Sequence, residues 1–181
     1  MDTLVPESDF TAPSEYCPRP ELWHAPNAGA TEAEVVELLV GLVRCLQPDY
    51  VVEIGAYQGY TTQALGYAVQ CNGHGRVAAV EIDAESAEMA AFRCAGLPVE
   101  IIVGDSADFM PDGPVDLVWI DGGNDTRQAD MERLLPHCGE GAIIGVHDVA
   151  PGKCACGEWE IGHPSIELRS PRGILLIQVH R

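Results

Sequence analysis

Val35, Leu38, Leu39, Leu42, Val43 and Leu46 recur at helical spacing, one apolar face of a 3.6-residue repeat. Thr31-Glu32-Ala33-Glu34 stands ahead of them and reads as a capping box, a hydroxyl at the helix start with a carboxylate three residues on. Pro48 stops that helix. Beyond it, short continuous apolar runs alternate with amphipathic ones. Residues 50–54, 76–80, 99–103, 115–120 and 141–146 predict buried strands. Residues 59–69, 85–94 and 126–135 predict helices between them, with Pro136 closing the last. Residues 174–179 predict a final strand, hairpinned with 166–168 across Pro171-Arg172-Gly173. Such alternation implies a mostly parallel sheet covered on both faces, with right-handed crossovers. Residues 1–30, rich in proline and polar residues with Tyr16 and Trp23 interspersed, read as an irregular arm. The expected organisation is therefore an arm, 1–30, and one domain, 31–181.

Composition narrows the partners. A chain of 181 residues, 46% of them hydrophobic, suits one domain with a real core. Lys and Arg total 10 against 28 Asp and Glu, a formal net charge of −18. That charge repels phosphate backbones and anionic headgroups, so neither nucleic acid nor a membrane surface is expected as a partner. No apolar run has the length of a bilayer span. The start, MDTLVPESDF, lacks the basic and apolar regions of a secretory signal, so a cytoplasmic location is expected. The seven cysteines are then expected as thiols, with Cys45 and Cys94 packing as small hydrophobes. Cys154-Ala155-Cys156 with His163 nearby falls short of the four ligands of a closed zinc site.

In sheets of this kind ligands bind beyond the carboxyl ends of the strands. Those ends carry Glu53-Ile54-Gly55, Glu81-Ile82-Asp83, Gly104-Asp105-Ser106, Asp121-Gly122-Gly123 and His147-Asp148. Caps and turns explain one or two such carboxylates. Five strand ends in a row bearing like charges call for a cation or cationic ligand among them.

The first of these segments continues as Glu53-Ile54-Gly55-Ala56-Tyr57-Gln58-Gly59. Gly55 allows a tight turn and Gly59 a close helix–sheet approach. A dinucleotide fingerprint needs glycine where Tyr57 stands, so a nicotinamide cofactor is disfavoured. With VVEIGAYQGYTT, AAVEIDAES, IIVGDSADF, DLVWIDGGND and GAIIGVHD in this order, the chain from Thr31 onward resembles the class I S-adenosylmethionine-dependent methyltransferases. Within them it is most similar to the catechol O-methyltransferase-like and macrolide-sugar O-methyltransferase-like group. The resemblance implies a Rossmann-like, doubly wound, mostly parallel α/β sheet with an antiparallel C-terminal strand. It implies S-adenosylmethionine as cofactor, held by Glu53, Gly55, Ala56 and Tyr57 at the methionine end. Thr61 or Thr62 would reach the cofactor carboxylate, where a helix N-terminus favours an anion. Glu81 would take the ribose hydroxyls, with Ile82 beside it and Asp83 as its rival. Asp105 and Ser106 would bracket the adenine, and Asp121 would close the site.

For transfer, the resemblance places a divalent cation, Mg2+, on Asp121 and Asp148, hard oxygen ligands, with Asn124 as a third. Many bacterial relatives have His in place of Asn124, and Asn offers a carbonyl ligand but no base. His147 is the candidate general base, since its ordinary pKa lies near neutrality, and Asp121 is the second catalytic candidate. Trp119 reads as core, while Trp23 and Trp159 are candidates for an acceptor wall. The expected activity is O-methylation of a small-molecule hydroxyl, on a natural product or sugar, with a homodimer completing the acceptor wall. The alternative is a non-catalytic S-adenosylmethionine-binding partner or sensor domain, suggested by the short segment after Asp148 and by Asn124.

Overall fold

Side chains alternate across a strand, so each central strand here has two apolar faces to bury. The computed structural model describes residues 11–13, 15, 17–151, 153 and 159–181. Strands β1 (Tyr50–Ile54), β2 (Arg76–Glu81), β3 (Val99–Val103), β4 (Val115–Ile120), β5 (Cys138–His147), β6 (Ser165–Leu168) and β7 (Ile174–Gln178) form one sheet in the order β3-β2-β1-β4-β5-β7-β6. The pairings from β3 to β5 are parallel. Strand β7 runs antiparallel between β5 and β6. Helices α1 (Ala33–Leu46), α2 (Tyr60–Asn72), α3 (Ala84–Arg93) and α4 (Arg127–Leu134) alternate with the strands. This is the doubly wound, Rossmann-like sheet with an antiparallel C-terminal strand that the sequence predicts. No helix among the described residues is long and apolar enough to cross a membrane.

Two cores follow from the alternation. Val51, Val77, Leu117, Trp119 and Ile174 meet Val35, Leu39 and Val43 of α1 and Leu65, Ala68 and Val69 of α2 on one face. Val52, Ile54, Val80, Val118, Ile120, Ile144 and Val146 meet Met131 and Leu134 of α4 and Phe109 on the other. Trp119 is fully buried, the core position expected of it. Its register partner is Gly145, where a Cβ would lie 2.7 Å from the indole ring; the absent side chain makes room for the large one.

Chain order reverses between β1 and β4, because β2 and β3 lie on one side of β1 and β4 and β5 on the other. A crevice opens at the strand C-termini there. Helix α2 reaches its place beside it through Gly59, whose φ is +82° and whose Cβ would lie 2.7 Å from Ala90 Cα. Both the left-handed backbone and the contact with α3 demand glycine.

The capping box is not formed. The N-cap of α1 is Glu32, without a side-chain capping bond. The Thr31 hydroxyl donates to Asp121 Oδ2 at 2.8 Å, and Glu34 pairs with His24. Both groups have partners elsewhere, Asp121 for Thr31 and His24 for Glu34. The arm residues also pack: Trp23 is buried with Cys17 and Ala25, and its indole N–H donates to the Thr11 carbonyl at 2.8 Å. Trp23 is therefore packed into the arm. Cys154, Cys156 and the loop around them lie outside the described residues.

Gly59→Ala is expected to lower unfolding stability by about 2 kcal/mol or more, the scale of a non-glycine residue forced to positive φ. The added clash with Ala90 increases that cost. Urea denaturation of the two proteins reads the difference, and equal midpoints would refute the packing role.

Candidate functional site

The crevice holds a cavity of about 370 Å³ lined by residues from four strand ends. These are Ile54, Gly55 and Tyr57 at the end of β1, Val80, Glu81 and Ile82 at the end of β2, Gly104, Asp105 and Ser106 after β3, and Asp121, Gly122, Gly123 and Thr126 after β4. Gly29 of the arm completes the wall, and a Cβ there would touch the Tyr57 ring at 3.2 Å.

Glu81 is the fixed polar group of this cavity. Its Oε2 accepts the Tyr57 N–H at 2.6 Å and its Oε1 the Asp83 N–H at 2.9 Å. Each oxygen keeps a lone pair for a further donor, so the carboxylate is aimed before any ligand arrives. Asp83 turns instead to cap α3, accepting the Ser86 N–H at 2.8 Å. Ile82 beside Glu81 is 70% exposed, an apolar platform at the cavity edge. Asp105 accepts the Ala107 N–H at 2.9 Å, which fixes the Asp105–Ser106 turn. Gly55 has φ +88°, and a Cβ there would lie 2.7 Å from the Asp121 carbonyl; only glycine lets the β1 and β4 ends approach so closely.

Three residues assigned to the cofactor stand behind the lining. Ala56 is buried, with its N–H bonded to the Val80 carbonyl at 3.1 Å. The Thr61 hydroxyl donates to Thr31 Oγ1 at 3.0 Å, so it is committed to the arm. Glu53 is sealed beneath the loop, 1% exposed, and its Oε2 has no hydrogen-bond partner. Burial pushes its pKa up to about 8, against the Thr62 hydroxyl and with the neighbouring Asp121 and Glu81 charges.

Below Asp121 lies a chain of buried charges. His147, with no exposed surface, places Nδ1 2.9 Å from Asp121 Oδ1 and Nε2 2.8 Å from Glu32 Oε2. Arg172 Nε donates to Glu32 Oε1 at 2.9 Å and lies 3.4 Å from Asp148 Oδ1, an ion pair without hydrogen-bond geometry. Arg127 Nη2 donates to Asp148 Oδ2 at 3.1 Å and to Asp121 Oδ1 at 3.4 Å. Burial opposes charge on His147, but Asp121 and then Glu32 outweigh it and raise its pKa to about 9. Burial likewise raises Glu32, and contacts with His147 and Arg172 more than reverse this, to about 2. Asp121 is held below its ordinary value, because His147, Arg127 and Arg172 outweigh its burial.

This geometry bears on two expectations. His147 has both ring nitrogens engaged by carboxylates, which leaves neither free to take an acceptor proton. The Mg2+ expected between Asp121 and Asp148 does not fit the donor set. Asp121, His147 and Asp148 do offer ligand atoms within 4.8 Å of one another. Yet three of the four carboxylate oxygens already accept N–H or O–H donors, and both His147 nitrogens face carboxylates; Asp148 Oδ1 alone of the four has no hydrogen-bond partner. Asn124 is exposed in the turn before α4 and does not join these carboxylates. Sequence reasoning missed Glu32, Arg127 and Arg172. Their signal was the demand for a cation among clustered carboxylates in a chain with so few basic residues.

A methyltransferase-domain family model matches residues 52–149, which span β1 to the residue after Asp148, and the chain belongs to that family. A catechol O-methyltransferase from Mycobacterium tuberculosis is 32% identical over 130 residues, 68% of this chain. The chain spans 58% of that relative's length. Among solved structures, the cofactor-bound protein Rv0187 from the same organism is 25% identical with a TM-score of 0.71, covering 84% of this chain and 82% of its own. The O-methyltransferase TomG from Streptomyces achromogenes, involved in tomaymycin synthesis and solved with S-adenosylmethionine, is 24% identical with a TM-score of 0.68. It covers 84% of this chain and 82% of its own.

The buried Glu53 gives a pH signature. Its folded pKa, about 8, lies above the ordinary 4.5. The folded state therefore binds this proton more tightly, and the associated stability is lost as pH rises between those values. Glu53→Gln mimics the protonated form. The thermal midpoint of the ligand-free wild type is expected to fall relative to that variant across this window. A difference independent of pH would show that Glu53 is ionised and paired.

Proposed function

We propose that this chain binds S-adenosylmethionine and transfers its methyl group to a hydroxyl of a small molecule, a natural product or a sugar. The observation that carries the reading is Glu81: a carboxylate fixed by two backbone N–H groups at the C-terminus of β2, facing a cavity of ligand size. Two acceptor oxygens side by side suit the paired hydroxyls of a ribose. Ile82 offers an apolar surface for the adenine, and Asp105 and Ser106 close its edge. Gly55, Tyr57 and Asp121 face the methionine end. Glu53, buried and unpartnered at one oxygen, suits a cationic amine there once ionised. These residues fit the cofactor, which supplies a sulfonium-activated methyl carbon when bound. The chain's own task is then to align the acceptor oxygen with that carbon and exclude water.

The catechol O-methyltransferase relative supports a hydroxyl acceptor, and the tomaymycin-synthesis enzyme of the same fold supports natural-product chemistry. Solution in the cytoplasm and a homodimer around the acceptor region are part of the same proposal. A second reading, a non-catalytic partner or sensor domain, is favoured by one observation: His147 has no nitrogen free to take an acceptor proton.

Calorimetry is expected to show binding of S-adenosylhomocysteine and none of NAD. Glu81→Ala should weaken that binding by about 1.5–3 kcal/mol, the scale for hydrogen bonds to a charged group. Asp83→Ala should leave it unchanged while lowering the thermal midpoint slightly through loss of the α3 cap. Exchange of those two effects would overturn the ribose assignment. Incubation with S-adenosylmethionine and a panel of catechols, phenols and sugars then separates the two readings. Acceptor-dependent release of S-adenosylhomocysteine supports the enzyme, and tight binding without release across the panel supports the sensor.

A further inference from the structure

We infer that Arg127 is a built-in cation standing where a divalent metal would bridge Asp121 and Asp148, so that this site is organised without a metal. Arg127 touches both carboxylates directly. Its Nη2 reaches Asp121 Oδ1, Asp148 Oδ2 and the Gly122 carbonyl at 3.4, 3.1 and 2.9 Å. Its Nη1 donates to the His147 carbonyl at 2.7 Å. One guanidinium therefore ties together the loops after β4 and β5, the two segments that a bridging ion would join. It is 2% exposed, and a guanidinium does not deprotonate in a protein, so its charge is permanent.

The surroundings leave a metal little but Asp148 Oδ1, the one oxygen of the two carboxylates without a hydrogen-bond partner. Asp121 Oδ1 faces both Arg127 and the His147 ring, and Asp121 Oδ2 accepts the Thr31 hydroxyl. Asp148 Oδ2 faces Arg127 and its Oδ1 faces Arg172. Two permanent cations, Arg127 and Arg172, already stand among Glu32, Asp121 and Asp148. A magnesium-type ion needs about six oxygen ligands near 2.0–2.1 Å; here it would have to displace the N–H donors that hold those oxygens. Removing Arg127 leaves the facing oxygens of Asp121 and Asp148 short of one positive charge.

The inference concerns the centre of the proposed methyl-transfer site, but its test reads metal binding and not turnover. Mn2+ is the probe, followed by the loss of its free electron paramagnetic resonance signal during titration into the wild-type chain, Asp148→Asn, Arg127→Ala and the double variant. The wild type and Asp148→Asn are expected to bind Mn2+ alike, through their acidic surfaces only. Arg127→Ala is expected to gain one site, removed again in the double variant. Mn2+ binding by the wild type that Asp148→Asn abolishes would overturn the inference. So would an Arg127→Ala protein with a cooperative thermal transition and no added site. Should Arg127→Ala not fold, the wild-type and Asp148→Asn pair decides. Failure to bind S-adenosylhomocysteine would sink the proposed function and leave this result standing.

Discussion

A charge removed from water must be met by an opposite charge and by hydrogen bonds, or it is not tolerated. The centre of this chain is arranged around that constraint. Glu32, Asp121 and Asp148 alternate with His147, Arg127 and Arg172 in one buried cluster. Five segments contribute members: the start of α1, the end of β4, the start of α4, the end of β5 and the turn before β7. The cluster therefore does for the strand ends what no apolar packing does there. It holds five separate chain segments in one register at the edge of a cavity that must stay open.

The position of the arm follows from the same cluster. Arg172 donates to the Ala28 carbonyl and, through its other nitrogen, to the Ala30 carbonyl. Glu32 is anchored by His147, and Thr31 by Asp121 and Thr61. Gly29 lies between these anchors and forms part of the cavity wall. A segment that reads as an irregular tail is thus bound at both ends of its contact with the site. The cavity has its walls from four strand ends and a fifth from the arm, and Glu81 is oriented within it by backbone groups alone.

Much of this was legible in the residues, and the reasons for the rest are physical. Strand and helix periodicities are local properties, so the strands from β1 to β5 and the hairpin of β6 and β7 could be read directly. The glycine spacing at Gly55 and Gly59 reports close approaches that are also local. Glu81 stands out against Asp83 because it ends a strand while Asp83 begins a helix. Partners remote in sequence were not legible. Thr31 and Glu34 match a capping box by spacing, yet their actual partners are Asp121 and His24. His147 has the ordinary pKa of a base, but two carboxylates 26 and 115 residues away engage both its nitrogens. The need for a cation beside Asp121 and Asp148 was visible; that the chain itself supplies it, from Arg127 and Arg172, required the fold.

The protonation state of His147 tests this account most directly, because the charge balance of the whole cluster depends on it. Nitrogen-15 chemical shifts of the His147 imidazole, followed across pH, report both ring nitrogens. The account predicts that both carry protons at neutral pH and that the ring loses its charge only near pH 9. A neutral single tautomer at pH 7, titrating at or below the ordinary value of 6.5, would contradict it.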